Sequence, residues 1–365
     1  MYKEYTLTEK AYICLDCIEG ISARRKHKIM ALMSSAEAIF TEYKGKRAEI
    51  EAIAGAEAFT KLEAGLDMDL TERNVNELDK LGIIAVTYIS DEYPDTMKEI
   101  EPPPLVLYCK GDVGLLKSKG IAIVGTRSCS RYGRDVTEKF ATDLVKAGFT
   151  IISGMARGVD GIAHTTALNL SGKTIAVLAS GVEHVYPPEH LDMYKKIEET
   201  GLIVSEYKVG VPPNGYQFPE RNRIISGLSQ GVIVTEAGEK SGALITLNYA
   251  NEQGKRVYVV PGNITSNLSK GCNKWLKECQ GALVTDVNDI LIDFEMPAVE
   301  QMGIEDIELD FTEEKIVLEL TKCGELHFDE ILALTGLDVP SLSALLTRME
   351  ICGLVKRLNG NIFTI

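Results

Sequence analysis

The chain has 365 residues, 45% hydrophobic and 25% charged, an ordinary globular composition at a length that suits two or three domains. Its formal charge of −14 at pH 7 argues against a general nucleic-acid binder, and the lack of any apolar run of about 18 residues excludes a transmembrane helix. The opening MYKEYTLTEKAY has no charged-then-apolar signal layout, so a cytoplasmic location without membrane attachment is expected.

Residues 1–85 read as a helical N-terminal module, with apolar positions at helical spacing in KIMALMSSAEAIF and ELDKLGIIAV. Cys14 and Cys17 form a CxxC, but no second ligand pair stands at zinc spacing and no strand-to-helix turn precedes it. The eight cysteines, scattered through apolar stretches, are expected to be reduced thiols. Three prolines at 102–104 then break any helix and lead into an apolar, strand-like run from Leu105 to Cys109.

Residues 86–295 alternate strand and helix. Apolar runs at 121–125, 149–153, 174–180, 202–205, 231–235 and 256–260 are separated mostly by amphipathic stretches of helical length. Continuous apolar strands are buried on both faces, so the pattern predicts an α/β fold with a doubly wound, mainly parallel, Rossmann-like sheet. This middle region is less acidic than the rest: residues 105–285 hold 21 Lys and Arg against 16 Asp and Glu, and the flanks hold 18 against 37. A focused basic groove is compatible with that distribution. An acidic linker is expected over 296–310. Residues 311–365 then read as three helices and a two-stranded hairpin turning at Asn359-Gly360, a winged-helix pattern. The tail is acidic, so protein docking suits it at least as well as a duplex.

Ligands of open parallel sheets sit beyond the carboxyl ends of the strands. The segments that follow the strands are GTRSCSRYGR, SGMARGVDGIAH, SGVEHVYPPEH, the long EYKVGVPPNGYQFPERNRIISGLS, EAGEKSGALIT and PGN. They gather glycines, small hydroxyls and arginines, the chemistry of a phosphate rim. Neither a GxGxxG fingerprint nor a P-loop is present. Tyr132, Tyr186, Tyr216 and Phe218 supply rings for base stacking or for packing at loop bases. Lys240, Lys255, Arg256 and Lys270 either extend the groove or form a solvated helix face.

Asp160 and His164, four residues apart, have the spacing of a general acid–base pair. No nucleophile stands nearby, so the preferred reading is that Asp160 braces the helix and His164 packs inside. His184, Glu189 and His190 lack a fourth metal ligand, and two prolines favour a rigid loop; no metal or cofactor is expected.

The ordered series VGTR, SGMARGVDGIAH, YPPEH, FPERNRIISGLS, EAGEKSGALIT and VPG resembles the DNA-processing protein A family (DprA/Smf) and spans nearly the whole middle region. The resemblance implies binding of single-stranded DNA without strong sequence preference. It also implies a homodimer formed through the Rossmann-like domain, protection of incoming DNA and loading of RecA recombinase in natural transformation, with no catalytic residues. It carries Arg127, Arg157, Arg221 and Arg223 over as phosphate contacts. Ser153, Gly154, Gly158, Ser241 and Gly242 fall in the family's small-residue loops, and Phe218 is the aromatic of its FP motif; Lys240 is added from the same rim. Self-association is placed on GALITLNYANEQGK and RVYVVPG. Departures from the family pattern occur at Ala179-Ser180-Gly181 and in GCNKWLKECQGA (271–282). The alternative is a Rossmann-type nucleotide binder or nucleoside-monophosphate phosphoribohydrolase, for which Glu236 is the candidate acid and a base-sized pocket around it the requirement.

Overall fold

The structure is a computed structural model that describes residues 3–298, 310–351 and 353–365. The chain divides into two compact units, residues 1–299 and 300–365. The acidic linker expected over 296–310 lies mostly outside the described residues. Among the described residues no single helix is long and apolar enough to cross a membrane.

The first unit opens with α1 (Leu7–Cys17), α2 (Ala23–Met30), α3 (Ile39–Glu42), α4 (Arg47–Ala54), α5 (Ala56–Gly65) and α6 (Met68–Lys80). A capping box starts α1: the Glu9 N–H donates to Thr6 Oγ1, and the Thr6 N–H donates to the Glu9 carboxylate. The helical spacing read in the two N-terminal segments holds only in part. After Met30 the chain turns until Ile39, with the Ser34 N–H donating to Glu42 at 3.0 Å. Gly82, at φ +66, lies just past the end of α6, and the β-branched residues that follow enter strand β1 (Ile84–Thr87) instead of prolonging the helix.

After α7 (Asp95–Lys98) come β2 (Val106–Gly111) and β3 (Gly120–Val124), then α8 (Arg131–Lys146), β4 (Thr150–Ser153), α9 (Val159–Asn169), β5 (Thr174–Val177) and α10 (Leu191–Thr200). The series continues with β6 (Leu202–Ser205), α11 (Gln217–Leu228), β7 (Gly231–Val234), α12 (Ala243–Glu252), β8 (Arg256–Val259), α13 (Lys270–Lys277), β9 (Ala282–Leu283) and α14 (Asn288–Leu291). The strands form one sheet in the order β1-β2-β6-β5-β4-β3-β7-β8-β9. From β6 to β9 neighbours run parallel, whereas β1 and β2 are antiparallel additions at the β6 edge.

Both faces of this sheet are covered. In β3, Ile121 and Ile123 enter one core with Phe140 of α8 and Ala163 of α9. Ala122 and Val124 enter another with Ile224 of α11 and Leu247 of α12. A third core joins Ile13, Leu15 and Leu62 of the N-terminal helices to Tyr108 of β2 and Ile203 of β6. The helices therefore share buried apolar area with the sheet, and the Ala85 N–H donates to the Tyr5 hydroxyl at 2.8 Å across that junction. Cys14 lies buried there with its Sγ 3.4 Å from the Gly65 carbonyl, and burial pushes the Cys17 thiol up to about 11. Neither thiol has the depressed pKa of a reactive cysteine.

The second unit comprises α15 (Phe311–Cys323), β10 (Glu325–His327), α16 (Phe328–Thr335), α17 (Val339–Ile351), β11 (Lys356–Leu358) and β12 (Ile362–Thr364). Ile316, Leu320, Ile331, Leu342 and Phe363 make a core of its own. Leu358 faces Ile362 across the hairpin, whose loop places Gly360 at φ +82 and Asn361 at φ +57. The expected two-stranded wing gains a third strand, β10, which pairs with β12. At three residues β10 is too short to leave a sequence pattern. A Rossmann-like sheet, a helical N-terminus and a winged-helix tail are the architecture that the sequence pattern implied.

Candidate nucleic-acid interface

From β3 the chain builds β4, β5 and β6 on one side and then returns to place β7 and β8 on the other. Such a reversal leaves a crevice outside the carboxyl ends of the strands. A cleft of about 810 Å³ opens there. Gly125, Thr126 and Arg127 line it after β3, Phe218 and Asn222 line it from α11, and Lys240, Ser241 and Gly242 line it between β7 and α12.

Close backbone contacts hold these loops together. The Thr126 N–H donates to the Glu236 carbonyl at 2.8 Å, and the Val159 N–H donates to the Thr126 carbonyl at 3.2 Å. Gly158 sits at φ +72, and a Cβ there would stand 2.3 Å from the Thr126 carbonyl oxygen. No other residue fits that crossing without displacing the loop that carries Arg127.

Arg127 is exposed, and among the described residues it has no carboxylate partner. Its guanidinium lies 5.2 Å from the centroid of the Phe218 ring, within the range of a cation–π contact. Phe218 in turn lies 5.4 Å from the Tyr186 ring, which is 39% exposed and also lines the cleft. Lys240 is exposed, again with no acidic partner among the described residues. It precedes α12, whose first N–H groups are engaged within the chain: those of Ala243 and Leu244 donate to the hydroxyl and carbonyl of Ser241, and that of Ile245 donates to the Gly242 carbonyl, so only the helix dipole favours an anion there. The start of α8 is closed too, because Ser130 Oγ accepts from the Gly133 N–H and its own hydroxyl is bonded to Glu236.

The other arginines of the sequence reading behave differently. Arg157 is exposed and ion-paired with Glu189, just outside the cleft. Arg221 and Arg223 lie not in a loop but on α11, where positions two apart point about 200° from one another. Arg221 turns inward, 4% exposed, and donates to the carbonyls of Gly154 and Val177. Burial pushes its pKa down to about 10, Asp160 opposes this, and the charge of Arg127 adds to it. Arg221 thus supplies a fixed positive charge behind the cleft floor, near Arg127. Arg223 turns away from the cleft, paired with Glu206 and donating to the Pro102 carbonyl at 2.7 Å. The structure does not bring it to the rim.

Among the small residues, Ser241 and Gly242 face the cleft. Ser153 is fully buried, its hydroxyl donating to the Ile123 carbonyl at 2.6 Å. Gly154 leaves room for Arg221, since a Cβ on it would stand 2.5 Å from Nη2. Tyr132 donates to the Pro261 carbonyl at 2.6 Å, and Tyr216 faces a different cleft. Thr126 and Asn222 are lining residues that the sequence reading did not single out, although both lie inside the motifs VGTR and FPERNR. In the segment that departs from the family pattern, Asn273 bonds the backbone of Gly262 through both its amide atoms, and Trp275 is buried in the core.

The candidate acids and bases are occupied. Asp160 accepts from the N–H groups of Gly154 and Ala156 and so braces the turn into α9. Burial raises its pKa, while Arg221 and these N–H groups oppose the rise. His164 is fully buried with Nδ1 2.7 Å from Thr174 Oγ1, and burial pushes its pKa down to about 3. Glu236 is 2% exposed and accepts from both the N–H and the hydroxyl of Ser130. Gly133 packs against it so closely that a Cβ there would stand 2.4 Å from Oε2, which leaves no base-sized space at that carboxylate. His190 is bonded through Nδ1 to the Met155 carbonyl at 3.0 Å and Glu189 is engaged with Arg157.

The family model for DNA recombination-mediator protein A matches residues 84–295, and that for the DprA winged helix domain matches residues 308–361. The chain is 41% identical over 198 residues to the DNA processing protein DprA of Bacillus subtilis (strain 168), covering 54% of this chain and 67% of that one. It is 43% identical over 208 residues to the protein of the same name from Streptococcus pneumoniae, covering 57% of this chain and 73% of that one. The X-ray structure of DNA processing protein A from Streptococcus pneumoniae matches with a TM-score of 0.67 at 31% identity, covering 81% of this chain and 100% of that one. A structure of DNA processing protein A from Helicobacter pylori, described for its single-stranded DNA binding mode, matches with a TM-score of 0.53 at 31% identity, covering 58% and 95%. With a match that spans more than half of its residues and follows the sheet from its first strand to its last, the chain belongs to the DNA recombination-mediator protein A family.

Proposed function

We propose that this chain binds single-stranded DNA in the cleft at the sheet reversal, and that through this binding it protects incoming DNA and loads RecA recombinase in natural transformation and recombination. The observation that carries the reading is the exposed Arg127, without a carboxylate partner among the described residues, lying over the Phe218 ring in that cleft. A cation beside an aromatic face meets the phosphate and the base of one nucleotide. Lys240 and the Ser241 hydroxyl offer the next anion contacts, at the positive end of the α12 dipole. Bases in a duplex are stacked on each other, so a site of this kind favours a single strand and tolerates any base. The binding mode described for the Helicobacter pylori relative supports the same reading.

RecA loading and a homodimer through α12 and β8 rest on family membership. A cytoplasmic location fits that role. We read the site as one of binding rather than turnover. The phosphoribohydrolase alternative needs space at Glu236, which Ser130 and Gly133 fill.

Fluorescence anisotropy with labelled oligo-dT and a duplex of equal length, over a salt series, tests the proposal. Oligo-dT binding the tighter of the two, with affinity falling linearly in log salt, is the expected result. Equal affinity for both, or nucleoside-monophosphate turnover abolished by Glu236→Ala, would overturn it.

A further inference from the structure

A second large cleft, about 960 Å³, lies away from the reversal of the sheet, between the α1–α2 loop, the connector at Pro102, the segment after β6 and the start of α11. Its charge is opposite to that of the first. Three basic side chains line it and each already has a partner. Lys208 pairs with Glu19 at 2.8 Å, Arg223 pairs with Glu206, and Lys26 donates to the Asp16 carbonyl at 2.6 Å with the Asp16 carboxylate 3.9 Å away. Of the two further carboxylates, Glu101 pairs with Arg24 at 2.8 Å and Glu220 has no cation partner among the described residues. Both partners of the Arg24–Glu101 pair are exposed, and Glu220 accepts only from the neutral Tyr207 hydroxyl at 3.1 Å.

Gln217 is the independent sign of a ligand. It lines this cleft, is 2% exposed, and its Oε1 has no hydrogen-bond partner. A buried acceptor left unsatisfied is destabilising, so a donor is the group this wall lacks. Tyr216, 64% exposed, and Tyr249 add aromatic faces at the same cleft. The unbalanced Glu220 carboxylate, an unsatisfied acceptor and tyrosine rings together select a cation rich in N–H donors. The same charges repel a DNA strand.

We infer that this cleft receives an arginine- or lysine-bearing segment of a partner protein, at a surface separate from the DNA cleft. The basic side chain enters between Glu220 and Glu101, with its N–H groups turned to the Gln217 amide and its stem along Tyr216.

The test uses the full chain and a fluorescein-labelled peptide carrying two arginines separated by glycine, with a glutamate-for-arginine peptide as its counterpart. The arginine peptide should bind and the glutamate peptide should not. Glu220→Lys should weaken binding at least tenfold, and Tyr216→Ala should weaken it less. Glu77→Lys, the same charge reversal on α6 outside the cleft, should leave it unchanged. Thermal melts of the three variants confirm that each is folded; the substituted side chains are exposed, so none removes core packing. Equal weakening by Glu220→Lys and Glu77→Lys would reduce the effect to overall charge and overturn the inference. So would displacement of the peptide by oligo-dT from wild type but not from Glu220→Lys, which would make the cleft a DNA site.

Discussion

On a helix, a guanidinium and its neighbour two positions along point to opposite sides, and this geometry separates Arg221 from Arg223. The motif FPERNR reads as a run of phosphate ligands, but the spacing on α11 gives one arginine to the floor of the cleft and the other to a buried pair with Glu206. Truncating Arg223 leaves the Glu206 carboxylate buried and uncompensated. Arg223→Ala should therefore destabilise the fold by about 3–5 kcal/mol, read as a lower urea midpoint, and Arg223→Lys should recover part of it. His164 makes a second residue-scale prediction. The Thr174 hydroxyl donates to the Ile151 carbonyl, so His164 donates to it from Nδ1 and is left neutral with Nε2 unpartnered. Its folded pKa of about 3 lies below the unfolded value of about 6.5. The unfolded chain alone takes up this proton as the pH falls below about 6.5, so the contribution of His164 to stability is complete above that and is lost toward pH 3. Urea unfolding at pH 7.5 and pH 5 should show that loss, and His164→Gln should shrink it; an unchanged pH dependence in the variant would contradict the assignment.

The elements that carry the cleft were legible where the chain is periodic and hidden where it is not. All six apolar runs of the middle region are strands, because burial on both faces forces an uninterrupted apolar sequence. Strand β1 was read as helix because Gly82, which marks the boundary, is a single residue inside an otherwise helical spacing. The rim loops were legible as glycine- and arginine-bearing segments after strands. Which arginine faces the ligand was not, because α11 starts within the segment read as loop and burial is decided by packing. Asp160 could be seen as a brace, whereas its partners, the N–H groups of Gly154 and Ala156, exist only in the folded turn. At this scale Gly158 is the joint between the loops after β3 and β4. Gly158→Ala must hold alanine at positive φ against the Thr126 carbonyl, so it should lower stability by more than about 1 kcal/mol and weaken oligo-dT binding with it. A variant that melts and binds like the wild type would show that the joint tolerates a side chain.

Across the whole molecule, acidic flanks surround the mildly basic residues 105–285, and the cleft at the carboxyl ends of the strands is lined by Arg127, Arg221 and Lys240 against Asp160. A chain of net charge −14 can bind a polyanion only through such focusing, which makes the affinity steeply dependent on salt and on the few cations that lack partners. Arg127 is the clearest of these, held over Phe218 at the reversal of the sheet with no carboxylate partner among the described residues. The most direct measurement is the affinity of wild type and Arg127→Ala for oligo-dT at one fixed salt concentration, with a thermal melt of each. Loss of about 1–3 kcal/mol of binding in a variant that melts like the wild type is the expected result. Unchanged affinity in a folded Arg127→Ala would contradict the assignment of the cleft as the DNA site.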